Sequence, residues 1–284
     1  MPIDRAAAET FIWSAARLLD RHRYAMLFED GPAEPVIEAL AAYQNPDGGF
    51  GHALEPDVRC PGSQPSPTLS ALEILTEAGA ANGELAQTAR GWVARIAGPD
   101  GSVPSALPDF EAYPHAPWYT AEPESMLTLA LVAACYDGGG TGDEWLERAT
   151  AWCWRSIETK EQPAGYWLKF ALAFLDSVPD EKRAHTAIAS LAGRVDPSAV
   201  LPIGGTEGEA LRPLDLSPRP GSRSRALVSE AQVKNHLGRI ESEQRPDGGW
   251  TFDWLAWSPA QTADWRGIVT IRALTWLRDN GRSA

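Results

Sequence analysis

Three stretches of the chain concentrate the side chains that could do chemistry. The first is His52-Ala53-Leu54-Glu55-Pro56-Asp57-Val58-Arg59. A histidine, two carboxylates and an arginine so close together can serve as an acid/base cluster or as part of a metal-ligand set. They can equally form a loop salt-bridge network that only fixes a turn. The second is Asp109-Phe110-Glu111-Ala112-Tyr113-Pro114-His115-Ala116-Pro117-Trp118-Tyr119, followed by Glu122 and Glu124. Aromatics and carboxylates interleave there without helical period, unlike a core stripe. Ring faces stabilise positive charge and a carboxylic acid can give a proton, which suits carbocation handling. The same set suits stacking on a carbohydrate, and Glu122 and Glu124 also suit the first turn of a helix, where acids complement the dipole. The third stretch holds Asp253, Trp254, Trp257, Asp264, Trp265 and Arg266. Trp257 and Trp265 are candidates to line a cavity, whereas Asp264 and Arg266 read equally well as surface partners on a helix.

A fourth segment, 204–225, is long, rich in proline and poor in apolar periodicity. It gathers Arg212, Arg219, Arg223 and Arg225 on an otherwise acidic chain. It reads either as a flap that binds an anionic group such as a diphosphate or as a connector. Trp152-Cys153-Trp154 lies in a helical run and reads as packing, with Cys153 a buried small hydrophobe.

The elements that must position these residues are helices. Apolar residues recur at helical spacing over about 5–28, 35–43, 67–78, 85–96, 122–136, 143–157, 165–175, 181–191, 224–241 and 262–278, and strand-like alternation is nearly absent. Glycine- and proline-rich connectors separate them. The expected class is all-α, in a single domain spanning 1–284, a length that buries ample core without disulfides or metal. Three cysteines are too few and too scattered for a disulfide framework or a metal knuckle. The net charge of −13 argues against nucleic acid, whose phosphates need clustered Lys and Arg. With no basic-apolar leader and no apolar run of the roughly 18 residues a membrane span needs, the expectation is a soluble, cytoplasmic protein without an integral membrane segment.

Internal repetition gives the architecture. Gln44-Asn45-Pro46-Asp47-Gly48-Gly49-Phe50 and Gln244-Arg245-Pro246-Asp247-Gly248-Gly249-Trp250 share Gln-x-Pro-Asp-Gly-Gly-aromatic and lie 200 residues apart. Weaker copies occur at Gly98-Pro99-Asp100-Gly101-Ser102-Val103-Pro104 and at Gln162-Pro163-Ala164-Gly165-Tyr166-Trp167. Glycines let the chain turn through left-handed conformations after a helix. The glutamine is placed to bond the ends of neighbouring helices and the aromatic to plug the gap between them. Copies at this spacing mean helical hairpins stacked around a ring: an α/α toroid, with inner helices paired to outer ones.

These motifs resemble those of the terpenoid-cyclase and protein-prenyltransferase superfamily of α/α barrels. The turn at 244–250, followed by Ser258-Pro259-Ala260-Gln261-Thr262-Ala263, is similar to the repeated motif of squalene–hopene cyclases. Gln244–Leu274 carries the likeness best and Gln44–Leu75 next best. The chain departs from that pattern where the chemistry would be. The Asp-x-Asp-Asp string of class II cyclases is absent. Its local counterpart is Glu122-Pro123-Glu124-Ser125-Met126, which puts Glu124 at the last acidic position and Pro123 where the proton donor belongs. The class I Asp-Asp-x-x-Asp motif is absent too, and Asp57 with Cys60 lacks a third ligand for a prenyltransferase zinc site.

What the resemblance implies is an enzyme that cyclises or rearranges an isoprenoid or similar small apolar substrate, an isomerase or lyase, in an aromatic-lined central cavity. Glu124 or Asp57 is the expected acid, with Glu55 and His52 beside it. Trp118, Tyr119, Tyr113, Trp257 and Trp265 are the expected walls. No cofactor or metal is expected, save magnesium if the substrate carries a diphosphate. Two other readings stay open: a carbohydrate-processing barrel with paired carboxylates such as Glu55 and Glu124, and a binding module without catalysis.

Overall fold

The computed structural model describes residues 3–161, 163–193, 201–202 and 209–282. They form twelve helices: α1 (Arg5–Ala15), α2 (Leu18–Phe28), α3 (Glu34–Ala41), α4 (Pro65–Glu77), α5 (Glu84–Ile96), α6 (Leu127–Asp137), α7 (Glu144–Thr159), α8 (Gly165–Ser177), α9 (Glu181–Ala192), α10 (Pro213–Leu216), α11 (Glu230–Ser242) and α12 (Pro259–Asp279). Among the described residues the one named strand pair is Leu201–Pro202 against Ala210–Leu211, antiparallel. The all-α class expected from periodicity is what forms.

The chain divides into two compact units, a middle unit of residues 40–194 and a terminal unit of 1–39 with 195–284. In the middle unit α6 packs against α4, α7 and α8, and it is buried on every side from Thr128 to Cys135. Its sequence, Leu-Thr-Leu-Ala-Leu-Val-Ala-Ala-Cys, carries no charge, as a helix with no solvent face requires. α5, which packs on α4, and α7 are two-faced. α7 turns Trp145, Leu146, Ala149, Cys153 and Trp154 inward, so the Trp-Cys-Trp run packs through Cys153 and Trp154. In the terminal unit the two ends of the chain meet. α12 packs on α1, α2 and α11, around a cluster that includes Phe11, Ile12, Tyr24, Leu214, Leu237, Trp250, Ile271 and Leu274.

Helix starts follow the capping chemistry of the sequence. Asp4 accepts from the Ala7 N–H at 3.0 Å, Asp143 from Trp145 at 2.8 Å and Ser258 from Gln261 at 3.1 Å. Ser229 and Gln232 form a reciprocal capping box on α11.

Three expectations change. The run 5–28 is two helices, because Ala16 and Arg17 are extended. The Ala16 carbonyl freed by this break accepts from Arg21 Nε at 2.9 Å, and Arg17 bends back to Asp20 at 2.7 Å. The helix expected from 122 starts only at Leu127, because the Ser125 N–H and hydroxyl both go to the Val103 carbonyl, at 3.1 and 2.9 Å. Glu122 and Glu124 therefore lie in an exposed loop rather than in a helical first turn. The fourth repeat copy runs straight into a helix: Ala164 is extended and Gly165, left-handed at φ 56°, opens α8. Gln162, which would begin that copy, lies outside the described residues, as do residues 203–208 of the arginine-containing segment.

Candidate functional site

The repeated turn is the frame on which the candidate residues hang. In all three copies the residue after proline is Asp, and its carboxylate or side-chain oxygen folds back on the turn: Asp47 accepts from Gly49 N at 3.0 Å, Asp100 from Ser102 N at 3.1 Å and Asp247 from Gly249 N at 3.2 Å. The next glycine is left-handed in each, with φ of 91° at Gly48, 89° at Gly101 and 90° at Gly248. Each also presses on the backbone of a helix distant in sequence. A Cβ would come within 2.7 Å of Thr88 O on α5, 2.4 Å of Ala149 N on α7 and 2.1 Å of Ala7 O on α1. Only glycine satisfies both conditions. The residue closing each turn donates its N–H to a threonine on the helix that follows: Phe50 to Thr68, Val103 to Thr128 and Trp250 to Thr270, at 3.0, 2.8 and 2.9 Å.

Gln44 and Gln244 do the bonding expected of them. Gln44 Nε2 reaches the Gly48 and Leu85 carbonyls at 3.0 and 3.1 Å, and Gln244 Nε2 reaches those of Gly248 and Asp4 at 2.9 and 2.8 Å. Phe50 and Trp250 are the buried plugs. The turns are structural.

Between Phe50 and α4, the chain of the middle unit makes the loop that carries His52, Glu55 and Asp57. It opens on two left-handed non-glycine residues, His52 at φ 54° and Ala53 at φ 61°, a conformation that costs energy and is met most often where function demands a fixed geometry. His52 Nε2 lies 3.0 Å from Asn45 Oδ1, so this ring is tied to the turn. Glu55 Oε2 accepts from the Asp57 N–H at 3.0 Å, and thus shapes the loop around Asp57.

Asp57 is the point where the first and second chemically rich stretches join. It is buried, and its Oδ2 accepts from the Trp118 indole N–H at 3.2 Å. Backbone pairing fixes the junction: Ala116 N to Asp57 O at 2.8 Å, Arg59 N to Pro114 O at 2.9 Å, and a bridge between Val58 and His115. Tyr119 lies on the same junction, its hydroxyl 2.8 Å from Ser66 Oγ at the start of α4 and its ring edge-on to Phe110 at 5.0 Å. Burial, and after it the charge of Glu55, pushes the Tyr119 phenol well above its ordinary range, so it stays protonated. Trp118 and Tyr113 keep an exposed edge, 36% and 40%.

The structure thus brings Glu55, Asp57, Trp118 and Tyr119 together, with His52 and Tyr113 at the margin and Glu124 on an exposed neighbouring loop. Cys60 turns away from Asp57. Its thiol lies 3.7 Å from Asp109, whose other oxygen accepts from Gln64 Nε2 at 2.7 Å. Burial pushes the Cys60 thiol up, and among the described residues no three His, Cys, Asp or Glu side chains are placed to hold a metal ion.

Trp257 and Trp265 belong to the terminal unit. Trp265 meets Trp254 edge-on at 5.0 Å, and Trp254 stacks on Phe252 at 4.6 Å. Arg266 is more than a surface partner: its Nη2 donates to Asp247 at 2.8 Å, its Nε to the Trp250 carbonyl at 3.2 Å, and its guanidinium covers Phe11. The described part of the arginine-containing segment is packed, with Leu214, Ser217 and Ser224 fully buried and Arg212 bonded to Asp253 at 2.9 Å.

Sequence reasoning missed Asp20, which is fully buried on the first turn of α2 and takes Arg17 Nε at 2.7 Å and Arg23 Nη1 at 3.3 Å. The signal was present: an acid flanked by arginines three residues before and three after, on one helix face.

No family model and no curated protein matches the chain. Solved structures do. A protein from Actinoplanes is 18% identical, with a TM-score of 0.55, over 97% of this chain and 89% of that one. A single-residue variant of the type II terpene cyclase MstE from Scytonema, in complex with its substrate geranylgeranyl dihydroxybenzoate, is 17% identical with a TM-score of 0.52 over 86% of this chain and 79% of that one. The same cyclase with its product, merosterolic acid A, is 16% identical with a TM-score of 0.54 over 96% and 85%. At these identities the likeness shows the fold, the all-α toroid class that the repeats imply. No helix of the described residues is long and apolar enough to cross a membrane.

Proposed function

We propose that the chain is a terpene-cyclase-like isomerase that takes a small apolar, isoprenoid substrate and starts its cyclisation or rearrangement by protonation. The observation that supports this most is the Asp57–Trp118 contact: a buried carboxyl held by an indole, beside the partly buried phenol of Tyr119. It stands in a fold shared with a cyclase that binds a geranylgeranyl substrate. The reading takes 1–284 as one toroid domain.

In the proposed reaction Asp57, in its acid form, gives its proton to a carbon–carbon double bond. The π pair forms the new C–H bond and leaves a tertiary cation, which the next double bond attacks to close a ring. Loss of a proton from the last cation restores an alkene, so atoms balance without a co-reactant. The faces of Trp118 and Tyr119 stabilise the cations, and Tyr119, kept neutral, offers no phenolate to trap them. Glu55 holds the Asp57 backbone and His52 holds the loop to its turn. Asp57 is preferred to Glu124 as the acid because it is buried beside Trp118, whereas Glu124 lies in an exposed loop. Magnesium enters only if the substrate carries a diphosphate.

The test is conversion of geranylgeranyl dihydroxybenzoate and of simpler polyprenyl compounds by the full chain, followed by mass and NMR analysis of products. Asp57→Asn is expected to lower turnover by about 100-fold or more, the scale of a lost general acid, while Glu124→Gln leaves it within about threefold. Full activity in Asp57→Asn, with loss in Glu124→Gln, would move the acid to Glu124. Absence of any conversion across the panel counts against the cyclase reading itself.

A further inference from the structure

Among the described residues of the terminal unit, the buried side-chain donors that have no acceptor include three close in the chain or bridged to one loop: Arg212 Nε, Trp254 Nε1 and Trp257 Nε1. Native proteins rarely leave such groups unmet. Two of the three lie on the loop between the third turn and α12, and the third is joined to that loop by the Arg212–Asp253 bridge at 2.9 Å. The bridge and the Ala210 carbonyl, 3.0 Å away, occupy Arg212 Nη1, so the side chain is fixed with its Nε free to donate. Phe252, Trp254 and Trp265 form a continuous aromatic cluster, Trp254 stacked on Phe252 and edge-on to Trp265.

We propose that Arg212, Trp254 and Trp257 recognise a carboxylate carried by an apolar or aromatic ligand. The three groups can only donate, so the ligand group they select can only accept, as a carboxylate does at neutral pH. Asp253 already offsets the arginine charge, which favours a singly charged carboxylate over a diphosphate. The aromatic cluster supplies the surface for the adjoining ring or chain. The apolar part of this ligand rests on the isoprenoid reading above; the carboxylate does not.

The experiment uses the full chain with 15N-labelled tryptophan and four probes: benzoate, geranylgeranoic acid, geranylgeraniol and geranylgeranyl diphosphate. Both acids are expected to shift the indole N–H signals of Trp254 and Trp257. Geranylgeranoic acid should bind about tenfold more tightly than the alcohol of the same chain, the scale of one hydrogen bond to a charged group. Arg212→Gln and Trp257→Phe, which keep most of the side-chain volume, should each weaken the acid about tenfold and leave the alcohol unchanged. Indole signals that ignore benzoate, or equal affinities for acid and alcohol in the unaltered protein, would overturn the site and leave the three donors to ordered water. Tighter binding of geranylgeranyl diphosphate than of the acid would overturn the carboxylate. Carboxylate binding without isoprenoid turnover keeps this site and removes the cyclase reading; turnover without acid preference does the reverse.

Discussion

The first and third turns are the same device set in different surroundings. In both, the glycine N–H donates to the Asp carboxylate, a left-handed glycine is jammed against a helix backbone, and the turn ends on a buried aromatic residue whose backbone N–H goes to a threonine. The locks around them differ. In the middle unit Asp47 is held by Ser63 Oγ at 2.7 Å and by the Trp92 indole at 3.0 Å; in the terminal unit Arg266 holds Asp247 from α12. The larger difference is what lies between ring and threonine. α4 begins at Pro65, just before Thr68, whereas α12 begins at Pro259 and runs more than two turns before Thr270. The middle unit spends that interval on the loop of His52, Glu55 and Asp57. The terminal unit spends it on a tryptophan-rich loop and a longer helix. Shared residues hold the scaffold, and the interval between them is where the two units acquired different chemistry.

Breaking the shared part should have the largest effect. Gly248→Ala and Gly48→Ala each combine a forbidden φ with a backbone collision, at 2.1 and 2.7 Å, and are expected to cost about 4 kcal/mol or more. Gly79→Ala, with φ 68° and open space around it, should cost only the conformational part, about 1 kcal/mol. Thermal denaturation of the three variants separates collision from backbone strain; equal losses would mean that the jammed contact contributes nothing.

The next effect distinguishes the units by pH. His236 in the terminal unit accepts from the Leu214 N–H at 3.2 Å through Nδ1. Burial foremost holds its pKa down at about 4, with Arg212, Arg239 and Arg272 adding to this and Asp215 opposing it. An unfolded histidine near 6.5 binds a proton that the folded one refuses, so stability is complete above pH 6.5 and falls as pH drops towards 4. The loss over that window should approach about 3 kcal/mol, and His236→Gln should flatten it. An unchanged slope in His236→Gln would assign the acid sensitivity elsewhere.

Thr270→Val and Thr68→Val each strand a buried N–H, that of Trp250 or Phe50, and should cost about 2 kcal/mol in chemical denaturation. Similar values would support the equivalence of the two anchors; a loss in one alone would break it. Smallest is Arg266→Met, about 1 kcal/mol for a lock that is partly solvent-screened. It also releases Asp247, whose carboxyl the Arg266 hydrogen bond holds below the usual range, so the Asp247 titration should move up towards its ordinary value when followed by NMR.

Much of the scaffold was legible because it rests on local rules. The Gln-x-Pro-Asp-Gly-Gly turns declare their glycines and their ring, and helical spacing over 122–136 declares most of α6. The site was legible only as two stretches rich in chemistry. That Asp57 meets Trp118, 61 residues later, is a tertiary contact with no local signature. Glu124 was misplaced for the same reason: periodicity extends the helix back through it, but the Val103 carbonyl captures Ser125 and ends that extension. The threonine anchors escaped notice because a single threonine on a helix face carries no pattern. The fourth copy differs because its Gly165 is followed at once by the apolar helical run 165–175, which forms α8.

The most direct test of the proposed chemistry is to run the conversion of geranylgeranyl dihydroxybenzoate in deuterium oxide and locate the label. Protonation by Asp57 should give a cyclised product with one non-exchangeable deuterium on the carbon that received the proton, and Asp57→Asn should give none of that product. A cyclised product without deuterium, or one formed equally by Asp57→Asn, would contradict it.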